Sequence, residues 1–291
     1  QNPTAFGPVI KRAKEAGVIL VAFDNILDTQ DAINVNVDQK GLGVLWANWL
    51  IKHLPEGGKI LEVKGVAGTS VDTDRHNGIH ETFAASGKKW DVTEVAGKWD
   101  DPTAQKVTAD AIATNGPFDG ITAQGGDTGV VQAMIDAKHA FVPFGGETEN
   151  GFRKFCAKHS ADGLKCSSAG TGPAQVAVAI KTAIAALEGQ VVPQSVKLPL
   201  AIVEDPNFKE GEDFVDRELL DRECTGISLS PRRETQEQLQ TVAVAVQRVG
   251  AQGPLARYEV REVGLQSFGQ QRDGSCLHDL PRRWKTGAKC L

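Results

Sequence analysis

The sequence lacks a long apolar run. Its longest uninterrupted apolar stretch covers residues 18–23, whereas a membrane-spanning helix needs about 18 apolar residues, so we expect no membrane span. A basic excess is also missing: the formal net charge of the 291 residues is −5, which gives no general attraction to nucleic acid. With 41% apolar and 24% charged residues, the composition is typical of a globular chain with one large or two modest domains.

Common catalytic signatures are missing as well. The chain contains no serine nucleophile elbow, no Cys-x-x-Cys and no Gly-Lys-Ser/Thr phosphate loop. These motifs mark acyl transfer, thiol redox chemistry and nucleotide binding, respectively. We therefore predict that the protein is not an enzyme and has no cofactor.

Arginine is scarce in most of the chain and then becomes frequent. Residues 1–216 contain 3 Arg and 17 Lys against 28 acidic residues, whereas residues 217–291 contain 10 Arg and 2 Lys against 9 acidic residues. Beyond a short apolar stretch at 239–249, this last segment has no sustained hydrophobic period. Two interpretations stay open: a basic or flexible accessory segment, and a frame-shifted or artificially joined C terminus.

The start of the chain has neither an initiator Met nor a basic and apolar leader. We expect either that an export signal has been cleaved or that the sequence is a fragment.

Residues 4–205 repeat one pattern, in which a short run rich in Val and Ile is followed by a polar or glycine turn and then by a stretch of helical period. This alternation predicts parallel strands joined by helical crossovers, an α/β architecture with doubly wound sheets. The predicted strands are 18–23, 33–37, 59–64, 91–96, 120–123, 141–145 and 164–168. The predicted helices are 6–15, 41–53, 73–85, 103–115, 128–138, 150–158 and 174–187.

Ligands of such sheets bind where the carboxyl ends of the strands open into a crevice. The residues directly after the predicted strands are rich in carboxylates, amides and glycines, and they include one tryptophan. We therefore expect the functional site among these loops.

Five segments carry a resemblance to a known family. They are "NPT" from residue 2, "VILVAFDN" from 18, "GGKILEVKGVAGTSVDTDRHNGI" from 57, "GKWDD" from 97 and "GTGPAQVA" from 170. Together and in this order, they resemble the ribose-binding type of bacterial periplasmic sugar-binding protein, the substrate-capturing component of an ABC importer. The resemblance covers residues 2–205 and stops after Asp216.

The resemblance implies two α/β lobes joined by a hinge, with a sugar held between them. The first lobe would comprise residues 1–37 and 172–198, and the second residues 38–171 and 199–216, leaving 217–291 as a tail of uncertain origin. Family members begin with one more strand–helix–strand unit ahead of Asn2, so the resemblance also implies that the first lobe is incomplete.

Position by position, the resemblance implies a set of sugar contacts. The first candidates are Asn2, Asp24, Arg75 and Trp99, because charged groups make strong hydrogen bonds to hydroxyls and an indole face stacks on the C–H side of a sugar ring. The family pattern changes at several later positions, where Gly125-Gly126 replaces Asn-Asp and Glu147 follows two glycines. The complete candidate set is Asn2, Asp24, Asn25, Arg75, Trp99, Gln124, Asp127, Glu147 and Thr171.

Each candidate also has an ordinary structural interpretation. Asp24 is suited to cap a turn, Arg75 to pair with a nearby aspartate on a solvated helix, and Trp99 to lie in the core. Gln124, Asp127, Glu147 and Thr171 stand where helix N-caps are expected. These alternatives stay open on the sequence alone.

Two further pairs of residues suggest chemistry. His76 and His80 lie four apart on one predicted helix, as zinc ligands do, but no third ligand lies nearby in the sequence, so we predict no metal. Cys156 and Cys166 flank a turn, and in an oxidising compartment they would pair. Paired cysteines and two buried thiols remain equal alternatives.

The predicted function is the capture of a small sugar by hinge closure, for an ABC permease in the inner membrane, in the periplasm and without nucleic acid. One alternative is the ligand-sensing domain of a sugar-responsive transcription regulator. The other is an α/β enzyme that uses Asp24, Glu147 and Arg75 as acid, base and clamp.

Overall fold

The computed structural model describes residues 6–172, 174–215, 242–249 and 257–264. Every predicted strand and helix is present, with ends shifted by at most three residues. The helices are α1 Gly7–Glu15, α2 Gln39–His53, α3 Ser70–Ala85, α4 Asp101–Asn115, α5 Asp127–Asp136, α6 Asn150–His159 and α7 Ala174–Leu187. The strands are β1 Ile19–Phe23, β2 Ile33–Asn36, β3 Gly57–Lys64, β4 Lys89–Ala96, β5 Gly120–Ala123, β6 Phe144–Gly146, β7 Cys166–Gly170, β8 Ser195–Lys197, β9 Ala201–Glu204, β10 Val242–Val249 and β11 Arg257–Gly264.

The strands form two sheets. In the described residues the first has the order β11-β10-β1-β2-β8, and the second has the order β4-β3-β5-β6-β7-β9. Strands β1, β2 and β8 are parallel, and so are β3 to β7. The prediction of an α/β chain with parallel sheets is therefore confirmed, whereas the lobe boundaries stay a prediction.

Four strands were not predicted, and three of them run antiparallel to a neighbour. Strand β9 pairs antiparallel with β7, and β10 pairs antiparallel with both β1 and β11. Strands β8 and β9 contain three and four residues, too few for a hydrophobic period to be recognised. Strands β10 and β11 belong to the Arg-rich last segment and extend the first sheet beyond β1.

Strand β3 shows why the second sheet is covered on both faces. Successive side chains of a strand point to opposite faces. Leu61 and Val63 join a core cluster that also contains Val130 of α5, whereas Ile60 joins a cluster with residues of α2 and α3. The two clusters bury both faces of the strand, as in doubly wound folds. In the described part of the chain, no helix is long and apolar enough to cross a membrane.

Helices α2 and α3 approach closely at two glycines. A Cβ atom placed on Gly43 would lie 2.1 Å from the carbonyl oxygen of Arg75, and one placed on Gly78 would lie 2.2 Å from that of Lys40. A side chain at either position would push the two helices apart. The glycines therefore set the position of α3 and of the residues it carries.

A disulfide joins the second sheet to one of its helices. Cys156 of α6 and Cys166 at the start of β7 are both fully buried, and their sulfur atoms are 2.08 Å apart. The bond closes a loop with a sequence separation of 10 residues, which restricts the unfolded chain.

The close helix contact gives a first prediction. Gly43→Ala should lower the free energy of unfolding by about 1–3 kcal/mol, because overpacking outweighs the gain of about 1 kcal/mol in helix propensity. Gly7→Ala is the matched control, since the space around Gly7 is open. Urea unfolding of both variants tests this, and equal or higher stability of Gly43→Ala would contradict it.

The disulfide gives a second prediction. Replacing both Cys156 and Cys166 by Ala should lower the free energy of unfolding by about 3 kcal/mol. Dithiothreitol should destabilise the wild-type chain by a similar amount and leave the double variant unchanged. Wild-type unfolding that is insensitive to the reductant would show that the bond contributes nothing.

Candidate functional site

A cavity of about 250 Å³ lies where the carboxyl ends of the strands were expected to meet. Its wall contains Asp24, which follows β1 of the first sheet. It also contains Trp99, Gln124 and Glu147, which follow β4, β5 and β6 of the second. The complete lining is Asp24, Val71, Arg75, Trp99, Gln124, Gly125, Glu147, Thr148 and Glu149. The structure thus brings five of the nine candidate residues to one cavity.

Arg75 is the centre of the polar contacts. Its Nη1 lies 2.6 Å from Oε1 of Glu147, and the two side chains are only 7% and 17% exposed. Its Nε donates to Oε1 of Gln39 at 2.8 Å, and Nη1 also donates to the carbonyl oxygen of Gln124 at 3.1 Å. The guanidinium carbon lies 5.7 Å from the centre of the Trp46 ring. A buried cation with these partners holds three segments of the chain in fixed positions.

Burial dominates the titration of the cavity carboxylates. It raises the pKa of Asp24, and the charge of Arg75 and hydrogen bonds with Asn25 and Gln39 oppose the rise. It also raises the pKa of Glu147, against the attraction of Arg75. Both carboxylates thus lie in a poorly hydrated site, where hydrogen bonds are electrostatically stronger than in water.

The backbone around Trp99 is unusual. Lys98 and Trp99 have φ of 58° and 60°, in the left-handed region that non-glycine residues rarely adopt. A Cβ atom on Gly65 would lie 2.2 Å from Nε1 of Trp99, so the glycine makes room for the indole. Trp99 is half-buried rather than enclosed in a core, and its side chain forms part of the cavity wall.

Three candidates do not line the cavity. Asn25 donates from Nδ2 to Oδ2 of Asp24 at 3.1 Å. Asp127 accepts a hydrogen bond of 2.7 Å from the backbone N–H of Glu147. Thr171 donates to Oε1 of Gln175 at 2.8 Å. Each of these side chains has a protein partner and none of them lines the cavity, so their role as sugar contacts stays a prediction. Asn2 lies outside the described residues.

Two residues of the site were missed. Gln39 is buried at the start of α2 and links Arg75 to Oδ1 of Asn36, to which its Nε2 donates at 2.9 Å. Glu149 accepts from the N–H of Gly126 at 2.6 Å and from that of Thr128 at 3.2 Å. Gln39 lies three residues after the end of β2, so a wider window after the strand would have included it. Glu149 lies in the loop after β6 that the strand-end rule did cover, but it was not chosen as a candidate.

The Gly-Gly departure from the family pattern has a steric reason. Gly126 has φ of 78° and is the N-cap of α5, and a Cβ atom there would lie 2.7 Å from the Cβ of Ala104. The carboxylate of Glu149, on the next loop, supplies the acceptors that satisfy the first N–H groups of this helix.

The chain has clear relatives. The family described as the periplasmic binding protein domain matches residues 1–190. A xylitol-binding protein of Mycolicibacterium smegmatis is 29% identical over 146 residues, which are 49% of this chain and 42% of that protein. A ribose import binding protein of Salmonella typhimurium is 30% identical over 88 residues, 29% of this chain and 30% of that protein. The chain therefore spans less than half the length of these curated relatives.

A solved structure gives a wider match. It is an ABC transporter solute binding protein from Mycobacterium smegmatis with bound glycerol, with a TM-score of 0.61 and 25% identity. The similarity covers 71% of this chain and 72% of that one. Over the part of the chain that is covered, the arrangement of strands and helices is thus a known one.

Asp127 gives a third prediction. Burial raises its pKa well above the usual range, and the charges of Glu149 and Glu147 add to the rise. Between the unfolded pKa of about 3.9 and the raised native pKa, the native state binds the extra proton, so stability falls by about 1.4 kcal/mol per pH unit.

Asp127→Asn should remove this loss of stability with rising pH, because the amide does not titrate. The variant should be more stable than the wild type at pH 7, and the difference should shrink as the pH falls towards 4. Thermal unfolding across pH 4–8 measures it, with Asp136→Asn, an exposed carboxylate on the same helix, as the matched control. A constant difference at all pH values would show that Asp127 is not the titrating group.

Proposed function

Because the chain belongs to the family of the periplasmic binding protein domain, we propose that it binds a small sugar or related polyol in the described cavity, without chemical change. The observation that carries the proposal is the shared cavity itself. Asp24 comes from a loop of the first sheet, and Trp99, Gln124 and Glu147 come from loops of the second. A ligand held there touches both sheets.

The polar groups of the wall suit hydroxyls. Asp24, Glu147 and Glu149 supply carboxylate acceptors, and Arg75 supplies charged donors. The Oε1 atom of Gln124 is buried, and within the described residues no group donates a hydrogen bond to it. Buried acceptors are normally satisfied, and a sugar hydroxyl, which both donates and accepts, would satisfy this one.

The charge and size of the cavity narrow the ligand class. Three carboxylates against one guanidinium favour neutral or cationic ligands and disfavour sugar phosphates. The volume of about 250 Å³ is below the roughly 300 Å³ at which cavities for drug-sized ligands begin. Trp99 adds an aromatic surface for the apolar side of a ring. Together these properties favour a monosaccharide or a short polyol.

The names of the similar proteins suggest a role in transport. We infer that the chain is the substrate-binding component of an ABC sugar importer and acts outside the cytoplasmic membrane. Ligand contacts from two sheets would be completed only in a closed form, so the ligand would shift the population towards closure. The disulfide Cys156–Cys166 supports an oxidising compartment and favours this role over that of a cytosolic regulator.

Calorimetric titration tests the proposed binding. Ribose, xylose, allose, xylitol and glycerol are titrated into the full chain, and ribose 5-phosphate is the charge control. We expect saturable 1:1 binding of at least one neutral compound, no binding of the phosphate, and unchanged ligand after prolonged incubation. Product formation would indicate an enzyme, and the absence of binding across a wider sugar panel would overturn the proposal.

A substitution at Trp99 tests whether the cavity is the binding site. Trp99→Ala should weaken the binding of the best ligand at least tenfold, about 1.4 kcal/mol, because the aromatic wall of the cavity is lost. Trp90→Ala is the control, since this half-buried indole stacks on Phe83 at 4.4 Å and lies outside the cavity. Equal affinities of the two variants would place the binding site elsewhere.

A further inference from the structure

We propose that Glu62, His76, His80 and Glu94 form a binding site for one divalent transition-metal ion, with Zn²⁺ the best match. One ligand atom from each of these residues lies within 4.8 Å of the others. None of the four lines the cavity described above, so this site is spatially separate from the proposed sugar site.

The fold assembles this group from distant parts of the chain. Strands β3 and β4 pair in parallel with Glu62 directly beside Glu94, so both side chains lie on one face of the sheet. Glu62 shares the face of Ile60, which packs on α2 and α3. His76 and His80 lie one turn apart on α3 and face the two glutamates.

The distances suit a four-coordinate ion. The Nδ1 atom of His76 lies 3.0 Å from Oε1 of Glu62. The Nε2 atom of His80 lies 2.7 Å from Oε2 of Glu62 and 3.8 Å from Oε1 of Glu94. Tetrahedral Zn²⁺ with bonds of about 2.0–2.2 Å separates its ligand atoms by about 3.3–3.6 Å. Small side-chain rotations therefore convert these contacts into a coordination shell.

Glu62 explains why a cation belongs here. Its side chain is fully buried, and an ionised carboxylate in that position needs compensation by a positive charge. The two carboxylates attract protons as well: the hydrogen bond to Glu62 is the largest cause of the raised pKa of His80. A metal ion and the imidazole protons would compete for the same nitrogen lone pairs.

Lys64, the neighbouring cation, contacts only one of the two oxygens of Glu94. Lys64 lies 3.1 Å from Oε2 of Glu94, whereas Oε1 of the same carboxylate is the atom near His80. Lys64 would therefore orient a ligand from outside the coordination shell. The side chains of His80 and Glu94 are 35% and 42% exposed, which gives an ion a path from solvent to the buried Glu62.

The donor set determines the metal class. Two imidazole nitrogens with two carboxylate oxygens suit Zn²⁺ and similar borderline ions, whereas Mg²⁺ and Ca²⁺ prefer oxygen ligands alone. The ion would tie α3 to β3 and β4 next to Arg75, the residue before His76. Its effect would be to hold in place the helix that supplies the central cation of the cavity.

The test is a calorimetric titration of Zn²⁺ into the full chain at pH 7, after a chelator has removed any bound metal. Because Cys224, Cys276 and Cys290 are also potential zinc ligands, the decisive measurement is the number of Zn²⁺ ions bound per chain. The double variant His76→Ala/His80→Ala should bind one Zn²⁺ fewer than the wild type.

The control is His159→Ala, which removes another histidine beside a carboxylate, Asp162 at 2.8 Å. This variant should keep the wild-type stoichiometry. Excess Mg²⁺ should not displace the ion.

A second variant guards against misfolding of the first. Glu94→Gln changes a partly exposed side chain and should weaken binding of that one Zn²⁺ at least tenfold. Bound Zn²⁺ should also raise the melting temperature of the wild type and not that of the double variant. An unchanged stoichiometry in the double variant, or an unchanged affinity in Glu94→Gln, would overturn the proposal.

Discussion

The buried ion pair between Arg75 and Glu147 is the constraint on which the site depends. A guanidinium at this depth must be compensated by charge and hydrogen bonds, or it would destabilise the fold. Its partners come from α2, from the end of β5 and from the loop after β6, so these segments are positioned together. The close contact of α2 and α3 at Gly43 sets the distance at which Gln39 reaches the guanidinium. The cavity is thus shaped by the compensation of one buried charge.

Side chains along β3 point alternately to the two faces of the second sheet, and the two faces differ in character. Leu61 and Val63 pack into the apolar core on one face. Ile60 and Glu62 share the other face under α3, and Glu62 brings a carboxylate into a buried position. Helix α3 in turn carries Arg75 towards the cavity and His76 towards the sheet. One helix therefore connects the proposed sugar site with the proposed metal site.

Sequence reasoning predicted the helices and most strands well, whereas its site residues stay a prediction. Strands and helices follow from local periodicity, so all of those predicted are present, while the short or antiparallel strands β8 to β11 were missed. Asp24, Trp99 and Glu147 follow strand ends and line one cavity, but chain position does not say where a side chain points. Asp127 follows β5 as expected, yet its carboxylate accepts the N–H of Glu147. Glu149 was overlooked because its role depends on a helix that begins 22 residues earlier.

The sequence alone determined the α/β class, the family and the edge of the sheets at which polar residues gather. These properties depend on short-range periods and on motifs that are contiguous in the chain. Only the tertiary structure decided which side chains meet. His76 and His80 alone gave no metal site, because Glu62 and Glu94 lie 14 residues away on either side of the pair and nothing local predicts the parallel register that sets them side by side. Contacts across a sheet or between a helix and a sheet depend on packing, and packing is a property of the whole chain.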